Sequence, residues 1–118
     1  MVQDADAART LYRRVFEKNG RFAALSAYGI GRLALVAEPS SLPEAAHWFK
    51  LAASGGHVES QYNYGLALIE GWAGEVDVAS GLSWLEKARD CGMADADEVY
   101  QRVTRQLADG LTDPAYER

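Results

Sequence analysis

Three sets of residues recur every 36 positions without a gap: Tyr12, Trp48 and Trp84; Tyr28, Tyr64 and Tyr100; and Gly20, Gly56 and Gly92. Aromatic residues make up 10% of the chain and glycines 11 of its 118 residues. Three coincidences in one register therefore have a chance probability below roughly one in a thousand across plausible repeat periods. The chain reads as a tandem helical repeat, in which each unit buries its apolar face against the next.

The unit from Leu42 to Asp77 shows why these residues form helices. Ser41 and Asp77, also 36 apart, are residue types that accept a bond from the free N–H groups at a helix start. Ser41-Leu42-Pro43-Glu44 has capping-box spacing, with Pro43 confined to the first turn. Ala45, Trp48, Phe49 and Ala52 then follow the three-four spacing of one buried stripe, and Gly81, Trp84, Leu85 and Ala88 repeat it. Both tryptophans are expected to be largely buried. Gly56 and Gly92 sit where a helix ends in a left-handed residue, so a very short turn leads into the next helix. Ala24, Ser60 and Ala96, and Gly29 with Gly65, are small residues in register, where neighbouring backbones are expected to approach closely.

The pattern predicts six helices, at about 4–18, 21–36, 42–54, 57–70, 77–90 and 94–109, and requires no strand. The expected fold is all-α: a short right-handed α-solenoid of antiparallel helix pairs with about two and a half 36-residue repeats. Residues 1–110 form one domain, with a leading helix, units at about 21–56 and 57–92, and a closing helix. Loops are expected at Ala37 to Ser40 and Gly71 to Val76. From Gly110, with Thr112-Asp113-Pro114 following, the chain reads as a frayed tail, residues 111–118 lying outside the domain.

These residues resemble the Sel-one-like repeat family, a tetratricopeptide-like helical repeat with a 36-residue unit. Ser60, Tyr64-Gly65, Leu68, Gly71, Asp77, Gly81, Trp84, Lys87, Ala88 and Gly92 stand at that family's motif positions. The preceding copy keeps Ala24, Tyr28-Gly29, Ala45, Trp48, Ala52-Ala53 and Gly56, and departs from the pattern at Leu35, Ser41 and Leu51. The resemblance spans about 90 of the 118 residues. It implies an adaptor, regulator, or immunity or secretion partner that works through protein contacts, and it brings no catalytic residue.

Composition narrows the classes. A chain 48% hydrophobic over 118 residues holds enough apolar area for one core. The last helix replaces the register glycine with Gln101 and adds Arg102 and Arg105, the more polar face expected of a terminal cap. The single cysteine, Cys91, excludes an internal disulfide. Residues 1–20 carry charges throughout and no apolar h-region, so a soluble, cytoplasmic protein is expected from the sequence as given, although relatives of the family include exported proteins. The Ala-rich composition and small size suit a bacterial origin.

The net charge of -5 is polarised. Residues 1–32 hold Arg9, Arg13, Arg14, Lys18, Arg21 and Arg32 against Asp4, Asp6 and Glu17, a balance of +3; the rest holds six basic and fourteen acidic residues, a balance of -8. An acidic body disfavours nucleic acid, and no apolar span calls for a membrane. Complementary ends allow weak head-to-tail homo-oligomers, so self-assembly is the alternative to partner binding.

No catalytic constellation emerges, no cofactor is expected, and an enzyme is not the reading. His47 and His57 are ten residues apart, and His57-Val58-Glu59 lacks the second His of a helical zinc site. Gly29-Ile30-Gly31 falls inside a helix pattern and not after a strand. Asp95, Asp97 and Glu98 suit the first turn of the last helix, where carboxylates meet the partial positive charge of the helix start.

By resemblance to the tetratricopeptide architecture, the inner face falls on Ala23, Ser26, Ile30, Leu33 and Ala34, then on Glu59, Tyr62, Leu66, Ile69 and Glu70. It continues on Asp95, Glu98, Arg102, Arg105 and Gln106. Tyr62 and Leu66 are expected to anchor an apolar side chain of a bound protein or peptide, while Glu59, Glu70 and Glu98 pair with its basic residues. Trp72, between Gly71 and Ala73-Gly74, is expected either to pack over Trp84 or to serve as a surface contact.

Overall fold

The computed structural model describes residues 7–11, 13–14, 22–37 and 39–112. Residues 7–11 and 13–14 are helical; the rest of the helix expected at 4–18, with Tyr12 and Gly20, lies outside the described residues. Five bounded helices follow: α1 Ala23–Val36, α2 Leu42–Ser54, α3 Val58–Glu70, α4 Val78–Asp90 and α5 Ala94–Thr112. No strand occurs among the described residues. Each helix packs chiefly on those adjacent to it in the chain, α1 on α2, α2 on α3, α3 on α4 and α4 on α5. The expected tail at Gly110 is instead the last turn of α5, which runs to Thr112.

The helix ends follow from named side chains. Ser41 Oγ accepts from Glu44 N at 3.4 Å and Asp77 Oδ1 from Ser80 N at 3.0 Å, satisfying an otherwise free donor at each start. The Glu44 carboxylate faces Arg9 at 3.6 Å and Arg13 at 3.9 Å, tying the leading helical residues to α2. Gly56 and Gly92 have φ of +93° and +96°. Around them Gly56 N donates to Ala53 O and His57 N to Ala52 O, and Gly92 N donates to Arg89 O and Met93 N to Ala88 O. Both turns are thus Schellman motifs, which close α2 and α4 within three residues of the next helix.

α3 starts on an unusual cap. His57 Nδ1 accepts from Ser60 N at 3.3 Å and lies 2.8 Å from Ser60 Oγ, while its ring packs on Tyr28 at 4.4 Å. Burial lowers the pKa of His57 below the ordinary imidazole value of 6.5, opposed in part by Glu59. The folded state therefore prefers neutral His57, and an imidazolium has no lone pair to cap with. Between its lowered folded pKa and 6.5 the unfolded chain binds more protons, so stability falls as pH drops through this window. The urea midpoint should decrease between pH 7.5 and 5.5 by more in the wild type than in His57→Asn, which caps without titrating in this range. Equal decreases in the two proteins would remove His57 as the source.

Small residues and a few large side chains build the core. Ala34, Ala45 and Phe49 form one buried cluster with Tyr28, Leu35, Tyr64 and Trp72 around it. Leu85, Ala88, Ala96, Val99 and Val103 form another, covered by Tyr62, Leu66 and Ile69. Phe49 and Leu85, 36 apart, are completely buried, as expected of their stripes. Trp48 and Trp84 are only half-buried, contrary to expectation. A residue one position along a helix turns by about 100°, so the stripe centred on Phe49 and Leu85 leaves each Trp at its edge. Trp84 there packs on Tyr64 at 5.6 Å and under the Lys87 ammonium at 4.2 Å, and Trp48 lies 5.5 Å from the Arg13 guanidinium.

The unbroken 36-residue spacing is not the structural register of α1. α2 and α4 start 36 residues apart, at Leu42 and Val78, but α1 and α3 end 34 apart, at Val36 and Glu70. The connection from α1 to α2 spans 37–41 and that from α3 to α4 spans 71–77, two residues longer. Equivalent contacts shift accordingly. Ser41 N donates to Ala34 O as Asp77 N donates to Leu68 O. A Cβ on Gly31 would meet the Phe49 ring at 2.7 Å, as one on Gly65 would meet Leu85 at 3.1 Å. Gly31, not Gly29, is therefore the counterpart of Gly65.

Candidate functional site

With a 34-residue offset, Leu25, Tyr28, Arg32 and Val36 of α1 correspond to Glu59, Tyr62, Leu66 and Glu70 of α3. The inner-face positions expected on α1 are corrected by this slip. Ser26, Ile30 and Ala34 are buried packing residues, and Leu25, Arg32 and Val36 are exposed instead. One residue stripe thus reaches solvent on α1 and another on α3, and side chains of α5 join them.

The α3 residues meet α1 and α5 in a cleft of about 570 Å³ lined by Tyr28, Glu59, Tyr62, Asn63, Asp95 and Cys91, among others. Tyr28 Oη donates to Glu59 Oε2 at 2.8 Å, bridging α1 and α3. That carboxylate, after burial, raises the Tyr28 pKa, since both favour the protonated phenol. Tyr62 is half-buried and its phenol pKa is also raised, first by burial and then by Asp95; Arg102 opposes, while Glu98 and Glu70 add to the rise. The charges of α5 therefore act on the same face as Tyr62.

The expected site residues divide in three. Glu59 and Tyr62 lie together in the cleft, with the exposed Glu98 and Arg102 beside it on α5. Leu66 is half-buried and packs on the α4–α5 core. Glu70 is exposed, but Oε1 accepts from Trp72 Nε1 at 2.8 Å. Trp72 itself covers Phe49, with ring centroids 6.3 Å apart, and so closes the first buried cluster; it is not the lid over Trp84. Tyr28 and Asn63 were not expected in the site. The unequal loops at 37–41 and 71–77 are the sequence signal that places Tyr28 there.

A second cleft, of about 420 Å³, adjoins the first and is lined by Ala8 and by Leu25, Tyr28, Arg32, Leu33 and Val36 of α1. Arg32 lies 5.8 Å from the Tyr28 ring centroid.

Chemically, the face offers carboxylates, phenols and apolar side chains. The Ser60–His57 contact has the atoms of a nucleophile and its base, but Ser60 is fully buried, so a substrate cannot reach its hydroxyl. Among the described residues no group of three or more His, Cys, Asp or Glu is placed to hold a metal ion, and no helix is long and apolar enough to cross a membrane. In comparison with known proteins, no family model matches the chain, and neither a curated protein nor a solved structure matches it.

Proposed function

We propose that the chain is a non-enzymatic protein-interaction module that holds a peptide or partner domain on the face shared by α1, α3 and α5. The observation that carries this reading is the cleft lined by Tyr28, Tyr62, Glu59 and Asp95, with Glu98 and Arg102 near enough to act on Tyr62. Half-buried aromatics ringed by charges are suited to recognition, because the rings supply area and the charges select the partner.

The reading goes with a short right-handed solenoid of the Sel-one-like kind, about two and a half repeats long. Its supports are the sequential packing, the repeated Schellman turns, and a radius of gyration of 16.1 Å, above the roughly 13.5 Å of a compact domain this long. Head-to-tail self-assembly has less support, since Arg9 and Arg13 of the basic end already face Glu44 of their own chain.

Affinity capture with mass spectrometry names a partner, and calorimetry on wild type and Tyr62→Ala then tests the face. A weakening of about 2 kcal/mol, close to thirtyfold, is expected in a mutant whose circular dichroism is unchanged. Full affinity in that folded mutant would place binding elsewhere.

A further inference from the structure

The two clefts share Tyr28 in their linings and are the two halves of the proposed groove. Their chemistry differs along its length. On α1, Leu25 is 55% exposed and Val36 71% exposed, large apolar side chains at the positions where α3 carries Glu59 and Glu70. Single exposed leucines need no explanation, but these two line one cleft with Leu33, along one stripe of one helix. On α3 and α5 the lining holds two carboxylates, Glu59 and Asp95, and no cationic side chain.

We propose that this groove binds a segment of another protein whose apolar side chains lie on Leu25, Leu33 and Val36 and whose arginine or lysine enters between Tyr28 and Tyr62 to meet Glu59 and Asp95. The inference rests on the reading of this face as an interaction surface and names the chemistry of its partner. Charge complementarity fixes the basic end. An acidic segment would set like charges together, and a wholly apolar one would desolvate two carboxylates without a counter-charge. The Tyr62 ring adds an attractive face for a cation, while Arg32 and His57 already lie against the Tyr28 ring. A second copy is a poor occupant, because Arg9 and Arg13 of its basic end already face Glu44 of their own chain, and residues 33–118, with a balance of -8, would meet an acidic cleft.

The test starts from a random dodecapeptide library displayed on phage and selected on the intact protein. Binding of the enriched peptides, each labelled with a fluorophore at its own end, is then measured by fluorescence anisotropy on the unlabelled protein. Enriched peptides should combine apolar residues with Arg or Lys, and changing that basic residue to Gln should weaken binding at least tenfold. The double variant Glu59→Gln/Asp95→Asn should lose as much, with its unfolding midpoint close to wild type, since the amide oxygen that replaces the Glu59 carboxylate still accepts from Tyr28. Leu25→Ser/Val36→Ser should weaken the same peptides.

Enrichment of acidic or purely apolar peptides, or basic peptides indifferent to the double variant, would overturn this inference and leave an interaction face of other specificity. No enrichment at all would overturn this inference and leave the interaction reading to the affinity capture and calorimetry. Sedimentation showing a dimer that Leu25→Ser/Val36→Ser abolishes would give the groove to a second copy instead.

Discussion

Replacing Phe49 by alanine should lower the unfolding free energy by about 3 to 5 kcal/mol, the range for deleting a buried aromatic ring. Phe49 is fully buried and touches two parts of the molecule: α1, at Gly31 and at Tyr28 with 6.0 Å between ring centroids, and Trp72 in the loop after α3. Alanine leaves a cavity between units that these neighbours cannot fill without moving a helix. Domains of this size are stable by about 5 to 15 kcal/mol, so the loss is a large fraction of the total. Trp84→Ala should cost less, roughly 1 to 2 kcal/mol, because its half-buried ring contributes mainly the Tyr64 and Lys87 contacts. Urea unfolding of both variants checks the order; a larger loss at Trp84 than at Phe49 would mean that the tryptophans are the core after all.

The second large effect is expected at Gly65. In an open helix, Gly→Ala gains about 1 kcal/mol from backbone entropy. A Cβ at Gly65, however, would stand 2.9 Å from Gly81 O, a backbone atom, and 3.1 Å from the completely buried Leu85. Gly81 lies in the first turn of α4, and its backbone carbonyl cannot yield without moving the helix, so the two helices must separate. Overpacking of this kind costs about 1 to 3 kcal/mol, enough to reverse the propensity gain, and Gly65→Ala should unfold at lower urea than wild type. Gly110→Ala is the matched control, since nothing lies within 4 Å of its added carbon and it sits in α5. It should be neutral or stabilising by up to about 1 kcal/mol. A stabilised Gly65→Ala would show that α3 and α4 pack less closely than the Gly65–Gly81 contact implies.

The positions of α2 and α4 were legible because their boundaries have local causes. Ser41, Asp77, Gly56 and Gly92 act within three residues of themselves, and the caps and turns they form are those the sequence announces. Phe49 and Leu85 were legible as core for the same reason, as members of a periodic stripe. What the stripe does not reveal is its centre: with Trp and Phe adjacent, size points to Trp, but the helix that covers them decides which is enclosed. The slip of α1 was hidden more deeply. Tyr28, Tyr64 and Tyr100 keep their 36-residue spacing, yet the phase of α1 against α2 depends on a connection two residues shorter than its counterpart. An offset of two residues turns a helix by about 200°, so Ser26, Ile30 and Ala34 went inward and Leu25, Tyr28 and Arg32 outward. The slip does not affect the reading of α3, and Glu59 and Tyr62 line one cleft.

The most direct measurement is chemical-shift mapping of the ¹⁵N-labelled protein as a captured partner, or a peptide selected from the library, is added. The expected result is a contiguous set of perturbed amides on α1, α3 and the start of α5, centred on Tyr28, Glu59, Tyr62 and Asp95, while exposed residues such as Lys50 on α2 and Glu86 on α4 stay unchanged. Perturbations confined to α2 and α4, with Tyr28 and Tyr62 silent at saturation, would contradict it and place the binding surface on other helices.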